Sequence, residues 1–229
     1  EALGGVIAVE GADPLSGTKL RASAEYGSRD FRRGHVGLVA GKGEAGIAAS
    51  LTHLRSDGID IFGGGTGDRD GFGNVSARVK AAVRPAPDGE IGIVGHYIRA
   101  TSEFDGTPPP LFRRADTLDS SRAEIGAVRA WARLGLAADS PWSVELDGQY
   151  LHSSNRNRNG AMPLNRTLAD RLRVGGKLVR RFSAGGASHV LIAAADNVSR
   201  LLPPVEISDA DLDNVSGGLQ LNALGTVTD

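Results

Sequence analysis

One pattern recurs along most of the chain and restricts its fold more than any other: apolar and polar residues alternate with a period of two. Leu20, Ala22, Ala24 and Tyr26 alternate with Arg21, Ser23 and Glu25. Ala77, Val79, Ala81 and Val83 alternate with Arg78, Lys80 and Arg84; Val144, Leu146, Gly148 and Tyr150 alternate with Glu145, Asp147 and Gln149. Leu172, Val174, Gly176 and Leu178 alternate with Arg173 and Lys177. Successive side chains of a strand point to opposite faces, so each set describes a strand with one apolar and one polar side. Strong helix-forming runs are scarce, and glycine is abundant at 32 of 229 residues. The expected fold class is all-β and antiparallel.

The connections sharpen that expectation. Short turns fall at 41–44, 85–89, 138–142 and 183–187, and long connections at 56–71, 101–121 and 153–167. Short and long links alternate along an up-and-down meander, so the long ones all emerge on one side. Transmembrane β-barrels have this asymmetry. Nine strands fit between Leu20 and Ala195, each long enough to cross a bilayer at a tilt. The competing architecture is a soluble sandwich or lipocalin-like barrel. Against it, the polar face carries many Arg, Lys and Glu residues, which a packed core could not hold and a wet lumen could. Aromatic residues are few for membrane girdles, at 5%; Trp131, Trp142, Tyr26, Tyr97 and Tyr150 are the candidates.

Composition removes several function classes. No run approaches about 18 apolar residues, so no transmembrane helix is expected. There is no cysteine, hence no disulfide or thiolate metal site. The net charge is −1, with no basic block, which argues against a nucleic-acid partner. His35, His53, His96, His152 and His189 are scattered singly, without metal-ligand spacing. No nucleophile elbow, phosphate loop or close catalytic carboxylate pair occurs in a fitting context, so an enzyme is not expected.

Chemistry concentrates at 60–72, which reads D-I-F-G-G-G-T-G-D-R-D-G-F. Asp60, Asp68 and Asp70 lie in a glycine-rich stretch, and Gly71 follows at once. Carboxylates at alternate positions beside a glycine that permits a sharp turn suit a hard cation held by oxygen. The loop is not an EF-hand, because the closing Glu and flanking helices are missing. A solvated acidic turn is the plain alternative.

Taken together, these features resemble the TonB-dependent outer-membrane receptors. Gly4-Gly5-Val6-Ile7 resembles the end of that family's plug domain, and 17–28 stands where its first barrel strand begins. The pattern of Asp60, Asp68, Asp70 and Phe72 resembles the calcium-binding loop of the family's cobalamin receptors. Phe104-Asp105 and Asp116-Thr117 resemble the next ligand pair there. The likeness covers residues 1 to about 195.

The resemblance implies a domain layout of 1–16 as plug end, 17–196 as part of a barrel, and 197–229 as a tail of unassigned structure. A short helix capped at Ser208 is one reading of the tail. The implied metal set is Asp60, Asp68, Asp70, Asp105 and Asp116, with the Phe104 carbonyl and Ca²⁺ as the ion; Asp119 is the rival for the last place. The implied function is uptake of a scarce nutrient, a corrinoid or else a siderophore, across the outer membrane of a Gram-negative bacterium. Implied partners are the TonB complex through a plug, the lipid bilayer and lipopolysaccharide. A truncated barrel with a structural or partner-binding role and a soluble calcium-binding β-protein are the other readings. Most of a plug and much of a 22-strand barrel are missing, so the chain is expected to be part of something longer. The Arg/Asn run at 155–159 is expected in a loop, either an extracellular one that meets an anionic ligand or lipopolysaccharide or, as the plainer reading, a simply solvated one.

Overall fold

A computed structural model describes residues 11–60, 62, 67–137, 139–201 and 216–227. They form one antiparallel sheet in which every strand pairs with its sequence neighbour. The strands are β1 (Lys19–Gly27), β2 (Phe31–Lys42), β3 (Ala45–Ile59), β4 (Asp70–Ala86) and β5 (Gly89–Gly106), then β6 (Ala115–Leu134), β7 (Trp142–Asn159), β8 (Met162–Ala184), β9 (Ala187–Leu201) and β10 (Ser216–Val227). Among the described residues no pairing joins β1 to β10, so these two are the sheet's edges. Gly4-Gly5-Val6-Ile7 and Ser208 lie outside the described residues.

The links at one end are short: 43–44, 87–88, 135–141 and 185–186. The last is a two-residue turn made by Gly185 and Gly186, with φ of 60° and 80°. A left-handed pair of this kind matches the twist of the strands that it joins, and only glycine adopts it freely. The other end carries 60–69 and 107–114.

Three expectations are corrected here. The connection at 153–167 is no loop: β7 and β8 run through it and close in a two-residue turn at 160–161. The Arg/Asn run therefore lies on β7, paired with β6 and β8. The nine strands expected between Leu20 and Ala195 are present as β1–β9, but the sheet extends past 196, because β9 continues to Leu201 and β10 pairs alongside it.

The two faces differ as the alternation requires. Val79, Leu146, Val174 and Leu178 lie on one face and are 48%, 56%, 56% and 40% exposed. Arg78, Lys80, Glu145 and Arg173 lie on the other. That polar face is wet and ion-paired rather than packed: Arg133 meets Glu145 at 3.0 Å, Arg129 meets Asp147 at 3.6 Å, and Arg173 meets Asp196 at 2.8 Å. Trp131 belongs to this face and not to a girdle. Its ring is buried among Lys80, Arg129 and Arg133, and its indole N–H donates to Glu90 at 3.0 Å. Cations are attracted to the electron-rich face of the indole. A hollow of about 410 Å³ on this face is lined jointly by Arg78, His96, Arg129, Gln149 and Arg173, from five successive strands.

Residues 11–16 rest on this polar face. Pro14, fully buried, sits over the paired glycines Gly41 and Gly46, and the Arg78 guanidinium lies against Gly11. Side chains at 41 and 46 would fill the slot that Pro14 occupies.

The register discloses a tilt. From Lys42 on β2 it runs through Ala45, Val83, Ile91, Ala132 and Leu146 to Gly176 on β8. Lys42 is already at its hairpin tip, whereas β8 continues to Ala184, about eight residues further. With the short tips taken as one level, eight residues of about 3.3 Å over six strand spacings of about 4.8 Å give a tilt of about 40°. Closed barrels lean by this amount. The apolar runs on the exposed face lie at 75–83, 91–97, 126–134, 142–150 and 172–178, and their upper edge steps down the register in the same sense. Each is about eight residues, or roughly 25 Å along its strand.

Candidate metal centre

Both long connections leave the sheet at the same end, from the adjacent hairpins β3–β4 and β5–β6. They meet there. Arg114 of the second connection lies over the ring of Phe62 in the first, 6.0 Å from its centroid. The Gly71 N–H donates to Glu103 at 3.0 Å, tying the start of β4 to β5.

Between the two connections, carboxylate oxygens of Asp68, Asp105 and Asp116 all lie within 4.8 Å of one another. Oxygens bound to one Ca²⁺ at about 2.4 Å cannot be farther apart than about 4.8 Å, a limit that all three meet. Asp105 is anchored by the Thr117 N–H, which donates to Oδ1 at 3.1 Å. Its Oδ2 is buried and, among the described residues, accepts no hydrogen bond. A buried carboxylate oxygen without a donor is costly, and a cation or proton removes the cost. The donors are hard oxygens with no nitrogen or sulfur among them, which fits Ca²⁺ or Mg²⁺ and not zinc.

Asp68 shows the same tension electrostatically. A hydrogen bond with Asp116 raises its pKa most, followed by partial desolvation and the charges of Asp116, Asp70 and Asp105. Clustered carboxylates hold a proton more tightly, because ionising all of them sets like charges together.

The remaining candidates are placed around this trio. Asp60 reaches it through Gly67, whose N–H donates to Asp60 Oδ2 at 3.2 Å. A Cβ on Gly67 would stand 2.8 Å from Asp116 Oδ2 and 2.9 Å from Asp60 Oδ1, so both carboxylates crowd the same glycine. Asp70 is buried at the head of β4 and affects Asp68 through its charge, but it is not one of the three converging groups. Phe104 lies on β5 opposite Asp119, one residue before Asp105. Asp119 is engaged elsewhere: it accepts from Thr117 Oγ1 at 3.0 Å and from Asn159 Nδ2 at 2.8 Å.

Two contributors were not apparent beforehand. Glu103 stands two residues before Asp105, the same alternate spacing as Asp68 and Asp70, and that spacing was the available signal. Gly67 had none, since nothing in G-G-G-T-G distinguishes the glycine that two carboxylates will flank. The chain matches no protein-family model and no curated protein, so the assignment of function rests on the sheet and this cluster.

Proposed function

We propose that the chain forms part of the wall of an outer-membrane β-barrel receptor of the TonB-dependent kind, taking up a scarce nutrient, for which a corrinoid is the candidate. The observation that carries this reading is the exposed apolar band, whose upper edge steps along the register in the sense of the strand tilt. A soluble sheet has no reason to leave Leu146, Val174 and Leu178 uncovered over such a band, whereas lipid makes it favourable. The ion-paired opposite face suits a water-filled interior. The seat of 11–16 against Gly41 and Gly46 fits a segment that descends from inside a barrel into its first strand.

In this reading no bond is made or broken. Asp68, Asp105 and Asp116, with Asp60 and Asp70 beside them, would hold Ca²⁺, and the ion would supply the positive charge that lets both acidic loops order together. An ordered pair of loops presents a fixed surface to the nutrient, which lowers the entropy lost on binding. Selectivity for Ca²⁺ over Mg²⁺ follows from irregular, glycine-rich geometry, since Mg²⁺ demands near-octahedral ligands.

Calcium titrated into the chain folded in lipid vesicles tests the site. Saturable binding should protect 60–69 and 107–114 from proteolysis together, and Asp105→Asn should weaken it at least about tenfold. Protection of only one connection, or none at millimolar Ca²⁺, removes the shared site. A corrinoid and a ferric siderophore, each offered with and without Ca²⁺, separate the nutrient classes. Equal binding of the corrinoid in both conditions, or none, removes it as the nutrient.

A further inference from the structure

The hollow on the polar face has a wall built largely of arginine. Arg78, His96, Arg129, Gln149, Arg171 and Arg173 line it, on β4 to β8 in turn, and among the described residues no carboxylate does. The register accounts for the gathering. Arg78 stands opposite His96, His96 opposite Ala127, Ala127 opposite Leu151, and Leu151 opposite Arg171. The short side chain of Ala127 leaves room between arginines on the two outermost of these strands. One row along, Val94, Arg129, Gln149 and Arg173 follow one another in the same way.

Neighbouring carboxylates satisfy this wall only in part. Asp196 accepts from Arg173 Nε at 2.8 Å, and Glu145 from Arg129 Nη2 at 3.4 Å. Arg129 Nε is buried and, among the described residues, donates no hydrogen bond; Asp147 Oδ2 is 3.6 Å away, too far to accept one. Arg78 and Arg171 form no ion pair among the described residues. A buried donor without an acceptor is costly, and cations around a shared hollow repel one another. An anion in the hollow removes both costs.

The wall also indicates which anion. At about 410 Å³ the hollow falls in the range of small-molecule sites, about 300–1,000 Å³. Its two arginines without an ion pair stand on opposite walls, which matches a ligand with two anionic groups. Planar guanidinium groups grip phosphoryl oxygens in pairs. A phosphoryl group brings about −1.5 to −2 charge at neutral pH, more than the single charge of a carboxylate. We propose that the hollow binds a soluble molecule bearing two phosphoryl groups, one held by Arg78 beside His96 and the other by Arg171 beside Arg173. The site belongs to the polar face alone and stands whether or not lipid covers the other face.

The test uses the full chain refolded in lipid vesicles, or in buffer if carbonate strips it from them, so the membrane reading and this site fail separately. Inorganic pyrophosphate is the probe, with orthophosphate and citrate for comparison, each titrated calorimetrically in metal-free buffer. Pyrophosphate should bind saturably with a dissociation constant below about 1 mM, at least about tenfold more tightly than either comparison anion. Its affinity should fall as salt rises. Arg78→Gln and Arg171→Gln should each weaken binding at least about tenfold, whereas Arg166→Gln, on the other face of β8, should leave it unchanged. In the wild type, pyrophosphate should shield Arg78 and Arg171, but not Arg166, from modification by phenylglyoxal, a readout that needs no variant to fold. Absence of saturable binding, orthophosphate or citrate binding as tightly, an equal loss in Arg166→Gln, or Arg78 and Arg171 left unshielded overturns the site.

Discussion

At the scale of single residues, the account turns on three carboxylates and one glycine. Replacing Gly67 with Ala puts a methyl group 2.8 Å from Asp116 Oδ2 and 2.9 Å from Asp60 Oδ1, closer than carbon and oxygen tolerate. The loop must shift, and calcium affinity should drop at least about tenfold by titration, while the strand content measured by circular dichroism stays unchanged. The pH dependence has a defined sign. The pKa of Asp68 is raised by Asp116 and its acidic neighbours, so its protonated form is favoured by the folded loops. Without metal, that contribution is complete below the ordinary Asp range and is lost as pH rises through the elevated folded value. Excess Ca²⁺ reverses the trend, since it binds the ionised forms. Melting curves across pH 3–7 (roughly the carboxylate range) should therefore slope in opposite directions with Ca²⁺ and with a chelator. Parallel curves would count against a shared site.

At the scale of elements, opposite faces of one strand should respond differently to the same chemistry. On β4, Val79→Arg places a charge in the apolar band and should cost about 2–4 kcal/mol in lipid, whereas Arg78→Gln on the wet face should cost little. Denaturant titration of the refolded variants measures both. Similar costs at the two positions would contradict the assignment of faces. This facing was legible in the sequence because strand periodicity is two and the sets at 77–84, 144–150 and 172–178 keep it without interruption. The convergence of Asp68 with Asp105 and Asp116 was legible only through adjacent hairpins and a family likeness. The run at 155–159 was misread for a physical reason. Asn and Arg in succession look like a loop, but the Asn residues face inward and are bonded across the ladder, Asn157 to Asn165 and Asn159 to Asp119. Strand ends that are polar on both faces have no apolar alternation to announce them. Trp131 was equally opaque, because its cationic surroundings come from β4 as well as from its own strand, β6.

At the scale of the whole molecule, the sheet has few buried side chains for its size: Val39, Ala48, Ala82, Trp131 and Val179 are its buried apolar residues among those described. Its stability in water alone would be poor, since the hydrophobic contribution scales with apolar area removed from the solvent. In the proposed setting lipid on one side would supply that removal, and this is the central claim. The absence of cysteine makes a direct measurement possible: single cysteines introduced along 142–156, labelled with a small fluorophore and challenged with lipids brominated on their acyl chains. The account predicts strong quenching at 144, 146, 148 and 150, weak quenching at 145, 147 and 149, and weak quenching at both 154 and 156, where β7 has left the bilayer. Uniform quenching along 142–156, or none at any of these positions in vesicles that retain the protein, would contradict it.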